Sequence, residues 1–148
     1  MRVNEVFVDT ACIVALLNET DEHHEAANRL FKLVRARSRL VTTRAVCLEI
    51  GNSFAKSPED RTSASGFLKE IDGADDITIV PLGDDLYLRA LRLFGERPDK
   101  KWSLTDCSSF LVMEERGITS ALTTDRHFAQ AGFLPLLRED IPPEQGRW

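Results

Sequence analysis

Short apolar runs with strand character alternate with amphipathic stretches of helical period along this chain, and that alternation restricts its fold more than any single motif does. Val6 to Asp9 reads as a buried strand, continued by a short helix to about Leu17 and a polar break from Asn18 to Asp21, where Asp21 caps the next helix. From Glu22 to about Arg37, Ala26, Ala27, Leu30, Phe31 and Val34 recur at three and four, the spacing of one helical face. Arg39 to Thr42 makes a second strand, and Thr43 an N-cap for a helix carrying Val46, Ile50 and Phe54 on one side, which Pro58 ends. A helix from Glu59 to about Ile71, a turn at Gly73 to Asp76, a third strand at Ile77 to Val80 and a helix from Asp84 to Glu96 come next. Beyond the polar loop Arg97 to Lys101, a helix starts at Ser103 and stops at Gly117, and Ile118 to Leu122 is a fourth strand. Asp125 caps a helix from Arg126 to Ala131, and Leu134 to Leu137 is an edge strand, because Pro135 cannot donate within a central ladder. Such alternation, with few hairpin signals, predicts an α/β fold whose mostly parallel sheet is covered by helices on both faces.

At 148 residues the chain fits one domain with a core of its own, expected over residues 1–140, and the stretch 141–148 with Pro142, Pro143 and Gly146 reads as a flexible tail. Hydrophobic residues make up 43% and charged residues 29%, a balance that excludes a disordered chain. Cys12, Cys47 and Cys107 are odd in number, lie in apolar or helical stretches and form no C-x-x-C pair, so they read as reduced, buried thiols. The segment Met1 to Glu5 carries an acid where a signal peptide carries positive charge, and no apolar run approaches the roughly 20 residues of a membrane span. The expectation is a cytoplasmic protein without a membrane partner. A net charge of −5 argues against a broad basic nucleic-acid face but leaves room for a local one, and Arg35, Arg37, Arg39 and Arg44 gather near one segment.

The chemistry lies in the carboxylates. Asp9, Glu49, Asp106 and Asp125 sit at or near points where a strand or turn hands over to a helix, the edge at which open α/β sheets place ligands. A hard cation such as Mg²⁺ or Mn²⁺ takes oxygen ligands, and two or more carboxylates with water supply them. Such an ion can polarise a phosphodiester oxygen and lower the pKa of a bound water. Each acid also has a plainer reading: Asp106 as the last member of a capping box, Asp125 as an N-cap, Glu49 as a solvated helical residue. Asp9 follows Val6-Phe7-Val8 and precedes a mostly apolar run, so it is hard to place in solvent, and a buried acid needs a partner. His23 and His24 are adjacent, point to different helix faces and read as surface residues. His127 with Cys107 or Cys12 and an aspartate would mimic a hydrolytic triad, but neither a G-x-S-x-G elbow nor a papain-like cysteine context occurs. No Gly-rich phosphate loop is present either.

Taken in order, Val8-Asp9-Thr10, Ala45-Val46-Cys47-Leu48-Glu49-Ile50, Trp102-Ser103-Leu104-Thr105-Asp106 and Thr123-Thr124-Asp125-Arg126-His127-Phe128 resemble the PIN-domain ribonucleases, and within them the VapC-like toxins of toxin–antitoxin pairs, over about Val6 to Phe133. The resemblance implies a PIN-like three-layer α/β/α sandwich. It implies Asp9 and Asp106 as the principal metal ligands, Glu49 and Asp125 as the acids that hold water, substrate or a second ion, and Thr10 and Ser103 as small polar supports. The implied reaction is Mg²⁺-dependent cleavage of an RNA phosphodiester by in-line attack of water, with Mn²⁺ as a substitute ion. The implied partners are single-stranded or looped RNA, a second copy in a homodimer, and a small antitoxin. Asp99 reads as plain loop. Two other readings compete: a PIN-like RNA-binding or assembly module with little catalysis, and a different metal-dependent α/β phosphohydrolase. The first would not need all four acids, and the second would want a D-x-D motif where this chain has Asp9-Thr10-Ala11.

Overall fold

The computed structural model describes residues 4–146 and 148, so the charge reading on Met1 to Val3 lies outside the described residues, as does Arg147 of the tail. The strands are β1 (Glu5–Val8), β2 (Arg39–Thr43), β3 (Ile77–Val80), β4 (Ser120–Leu122) and β5 (Leu134–Pro135). The helices are α1 (Thr10–Leu17), α2 (His24–Arg37), α3 (Arg44–Ser53), α4 (Pro58–Asp72), α5 (Asp84–Glu96), α6 (Leu104–Arg116) and α7 (Arg126–Gln130). The strands form one sheet in the order β3-β2-β1-β4-β5, and every pairing in it is parallel. The expected α/β architecture is therefore the one the chain adopts, and its sheet is parallel throughout the described residues. β1 runs down the middle. The chain builds outward from it to β2 and β3, then returns to its other side as β4 and β5, so the direction of winding reverses between β1 and β4.

Alternate side chains of β1 serve opposite faces of the sheet, as the pleat requires. Val8 joins Ile13 of α1, Phe31 of α2, Ile50 of α3 and Ile71 of α4 around one apolar pocket. Phe7, fully buried, meets the ring of Phe128 in α7 at 6.2 Å, and Phe128 stands edge-on to Phe110 of α6 at 5.0 Å. Helices α1 to α4 thus cover one face, and α6 and α7 the other, which is where right-handed crossovers place them. Phe110 is the hub of the second face, touching Trp102 at 5.1 Å and Phe133 at 5.8 Å between centroids. Phe110→Ala should cost roughly 3–5 kcal/mol in chemical denaturation, and a loss below about 1 kcal/mol would contradict this packing.

Local chemistry accounts for most element boundaries. Thr43 accepts a hydrogen bond from the Val46 N–H at 3.1 Å, and Gly117 ends α6 at φ +68, a left-handed conformation suited to glycine. One expected boundary is corrected: Pro58 does not end the third helix but opens the fourth, at its first position, behind the N-cap Ser57. α3 stops earlier, at Ser53, where Gly51, Asn52 and Ser53 are weak helix formers and the Ser53 hydroxyl bonds back to the Glu49 carbonyl at 2.9 Å. Of the arginines gathered near β2, Arg35 and Arg44 are committed to carboxylates, Arg39 donates to the Asp75 carbonyl at 2.9 Å, and Arg37 is exposed. Arg35 grips Asp76 through two bonds of 2.7 and 3.1 Å, and Arg44 reaches Asp72 at 2.9 Å. In the segment 141–148 the Glu144 N–H donates to the Ala129 carbonyl at 2.8 Å, and the Trp148 indole N–H to that of Ala131 at 2.7 Å.

Candidate active site

Asp9 follows the last residue of β1, and Thr123 the last residue of the neighbouring β4, so both stand at the sheet's C-terminal edge where its winding reverses. The Asp9 N–H still bonds across to the Leu122 carbonyl at 3.2 Å, which locks the two strand ends together. Their side chains meet: the Thr123 hydroxyl donates to Asp9 Oδ2 at 2.7 Å and itself accepts the Asp125 N–H at 3.0 Å. Asp106 enters from the first turn of α6. Its Oδ2 accepts the Ser103 N–H at 3.0 Å while Ser103 Oγ accepts the Asp106 N–H at 2.9 Å, a complete capping box. Asp125 caps α7 by accepting the His127 N–H at 2.9 Å. Glu49, in the middle of α3, accepts a short hydrogen bond of 2.6 Å from the Thr10 hydroxyl. The plain and chemical readings of these acids are thus compatible: each cap hydrogen bond holds its carboxylate in one orientation and leaves further lone pairs on both oxygens.

Burial separates the acids into two pairs. Asp9 and Asp106 are 4% and 8% exposed, whereas Glu49 and Asp125 are half-buried. Desolvation pushes the Asp9 carboxyl up to about 7 against the relief of its Thr123 bond, and the neighbouring charges of Asp106 and Asp125 add to the rise. Asp106 is also raised, again chiefly by burial, with the Ser103 bond opposing and the charges of Asp125 and Glu49 contributing. Asp9 thus feels the charges of Asp106 and Asp125, and Asp106 those of Asp125 and Glu49. Asp106, Asp125 and His127 each offer a ligand atom within 4.8 Å of one another. These three form a donor set that fits a divalent cation, while Asp9 and Glu49 stand at the same edge but outside that compact group; Lys and Arg do not pair with the four acids among the described residues, and a cation would offset the mutual repulsion of the carboxylates.

Two further residues, Thr123 and His127, contact the acids. Thr123 opens the resembling segment Thr123 to Phe128 at a strand end, but nothing local ties it to Asp9. The sequence places His127 in the resembling segment Thr123 to Phe128 and in an unsupported triad but assigns it no role at the acids, yet its Nδ1 lies 3.3 Å from Asp106 Oδ2 and 3.2 Å from Asp125 Oδ1. Its position two residues after an N-cap aspartate was the available clue. The buried thiols take no part: Cys12, Cys47 and Cys107 are unpaired, and burial raises the pKa of each. Asp99 lies apart in an exposed loop, gripped by Arg97 at 2.8 and 2.9 Å, which lowers its pKa to about 2. His23 and His24 open α2 away from the acids and are half-buried, with His24 Nδ1 2.9 Å from the Ala15 carbonyl. Beside Glu49 is a cleft of about 190 Å³ lined by Leu48, Leu82, Tyr87, Leu104 and Thr105, while a larger groove of about 920 Å³ between α3 and α4 contains none of the four acids.

A parallel sheet in this order, with acids at its C-terminal edge around the point of reversal, defines a class. The family model of the PIN domain matches residues 6–134, and the chain belongs to that family. It is similar to the 23S rRNA-specific endonuclease VapC20 of Mycobacterium tuberculosis, at 25% identity over 134 residues covering 90% of this chain and 99% of the relative. The crystal structure of that VapC20, described as a sarcin–ricin loop cleaving toxin, superimposes with a TM-score of 0.77, covering 87% of this chain and 96% of the other. VapBC2 from Rickettsia felis, solved bound to a DNA fragment from its promoter, shares the fold at a TM-score of 0.62 and 14% identity, covering 88% and 96%.

Proposed function

We infer that this chain is a metal-dependent endoribonuclease, the toxin of a toxin–antitoxin pair, with Mg²⁺ as its ion and Mn²⁺ able to replace it. The observation that carries the reading is the convergence of Asp9, Glu49, Asp106 and Asp125 at one sheet edge in a PIN-family chain. Asp9 and Asp106, buried and raised, are the principal metal ligands; Glu49 and Asp125, more open to solvent, hold water, substrate or a second ion. A divalent ion bound there supplies positive charge to the scissile phosphodiester and makes a water easier to deprotonate. The protein's own part is to hold its acids rigid. Thr10 orients Glu49, Thr123 orients Asp9, and the Ser103 cap orients Asp106. The substrate is RNA in single-stranded or looped form, and ribosomal RNA is the first to try because VapC20 is a 23S rRNA-specific endonuclease.

The catalytic unit is a single domain over residues 1–140 with a C-terminal tail, working in the cytoplasm. Among the described residues no helix is long and apolar enough to cross a membrane. Pairing of two copies through the outer side of α5 is supported by its apolar residues Leu88 and Phe94, 60% and 47% exposed, and by Leu48, 61% exposed, which shares a cleft with Tyr87 of α5. The antitoxin is the further partner that a toxin of this class requires. Induction of the gene in a bacterial host should arrest growth within a few generations, while induction of the Asp106→Asn variant at equal protein level should not. Arrest by both forms, or by neither, would count against a ribonuclease toxin.

A further inference from the structure

His127 is the one nitrogen-bearing side chain in contact with the acidic cluster among the described residues, and its placement is built rather than incidental. Its backbone N–H is tied to Asp125 Oδ1 at 2.9 Å, and the next residue, Phe128, is fully buried between Phe7 and Phe110. With α7 anchored in this way, the His127 ring faces both Asp106 and Asp125, its Nδ1 3.3 and 3.2 Å from one oxygen of each. Neighbouring ligands of one ion bound at about 2.1 Å stand roughly 3 Å apart, so these separations suit three donors of a single centre. The imidazole makes no hydrogen bond through Nε2 within the described residues, so that nitrogen can carry the ring proton when a cation takes the Nδ1 lone pair.

We propose that His127 Nδ1 is a ligand of the metal centre, where it and Asp125 join the principal ligands Asp106 and Asp9 in a mixed imidazole and carboxylate set that favours Mn²⁺ and Co²⁺ over Mg²⁺. The proposal rests on the reading of the acidic cluster as a metal centre. An all-oxygen site suits Mg²⁺, whereas an imidazole nitrogen suits the later first-row ions, whose affinities for nitrogen donors rise along that row. A hydrogen bond from Nδ1 to the two carboxylates would give the same contacts without this selectivity, and the two cases separate experimentally.

The test is pulsed EPR of Mn²⁺ bound to full-length protein labelled with ¹⁵N-histidine, together with calorimetric titration of Mg²⁺ and Mn²⁺ into wild type, His127→Asn, His127→Gln and Asp106→Asn. The expected result is a directly bonded ¹⁵N coupling in wild type that is absent from both His127 variants. Their Mn²⁺ to Mg²⁺ affinity ratio should fall by about tenfold or more, and Asp106→Asn should lose both ions. The wild-type spectrum decides the matter even if a variant folds poorly. Bound Mn²⁺ without nitrogen coupling, with the ratio unchanged in the His127 variants and binding lost in Asp106→Asn, would overturn the ligand role and leave the metal centre standing. Failure of wild type to bind either ion would overturn the metal centre and the proposal together.

Discussion

Asp106→Asn should reduce RNA cleavage by more than about a hundredfold while leaving the fold intact, because it removes a negative charge from the proposed metal centre and keeps the cap. The amide oxygen can still accept the Ser103 N–H, so the capping box survives, and the side chain remains the right size for its 8% exposed position. What disappears is charge at the centre that a cation needs, and loss of the Lewis-acid contribution is worth several kcal/mol of barrier. Asp9→Asn should behave alike, since Thr123 can still donate to the amide oxygen. Turnover measured beside far-UV circular dichroism checks the claim. A folded variant that cleaves at the wild-type rate would remove that residue from the site.

Asp9→Asn should also stabilise the metal-free protein at alkaline pH, on the order of a few kcal/mol at pH 8 and above. Burial lifts the folded-state pKa of Asp9 from 3.8 to about 7. Between those values the folded chain holds a proton that the unfolded chain has released. Stability from this group is therefore complete below about pH 4 and is lost as pH rises through 7, the reverse of the usual salt-bridged aspartate. The asparagine neither titrates nor carries the buried charge, so it should flatten this part of the profile. Denaturant titrations in EDTA from pH 4 to 8 measure the effect, and a wild-type protein that grows more stable across that range relative to the variant would contradict it. Added divalent cation should stabilise wild type and not the variant, since only the carboxylate gains from binding.

The sequence disclosed those parts of the site that obey local rules. Asp9 stands out because an apolar strand runs straight into it, and Asp106 and Asp125 because caps have a short-range spacing that can be counted along the chain. Helices such as α5 and α6 were visible for the same reason, their apolar spacing and terminal glycine or capping box being properties of adjacent residues. The strand order was not visible, because nothing local states that β1 pairs with both β2 and β4. The Thr123 contact to Asp9 spans 114 positions and that of His127 to Asp106 spans 21, so only the folded sheet edge brings them together. The early end of α3 is hidden for another reason: Pro58 has two helical roles, terminator and first-turn residue, and Ser57 decides between them by capping α4.

The most direct measurement is cleavage of total RNA, including intact ribosomal RNA, by purified antitoxin-free protein in Mg²⁺, with EDTA and Asp9→Asn run alongside. A metal-dependent site at this sheet edge predicts discrete fragments with wild type in Mg²⁺ and intact RNA in both controls. Fragments that persist in EDTA and with Asp9→Asn would contradict such a site, and intact RNA in every lane with well-folded wild type would contradict the ribonuclease itself.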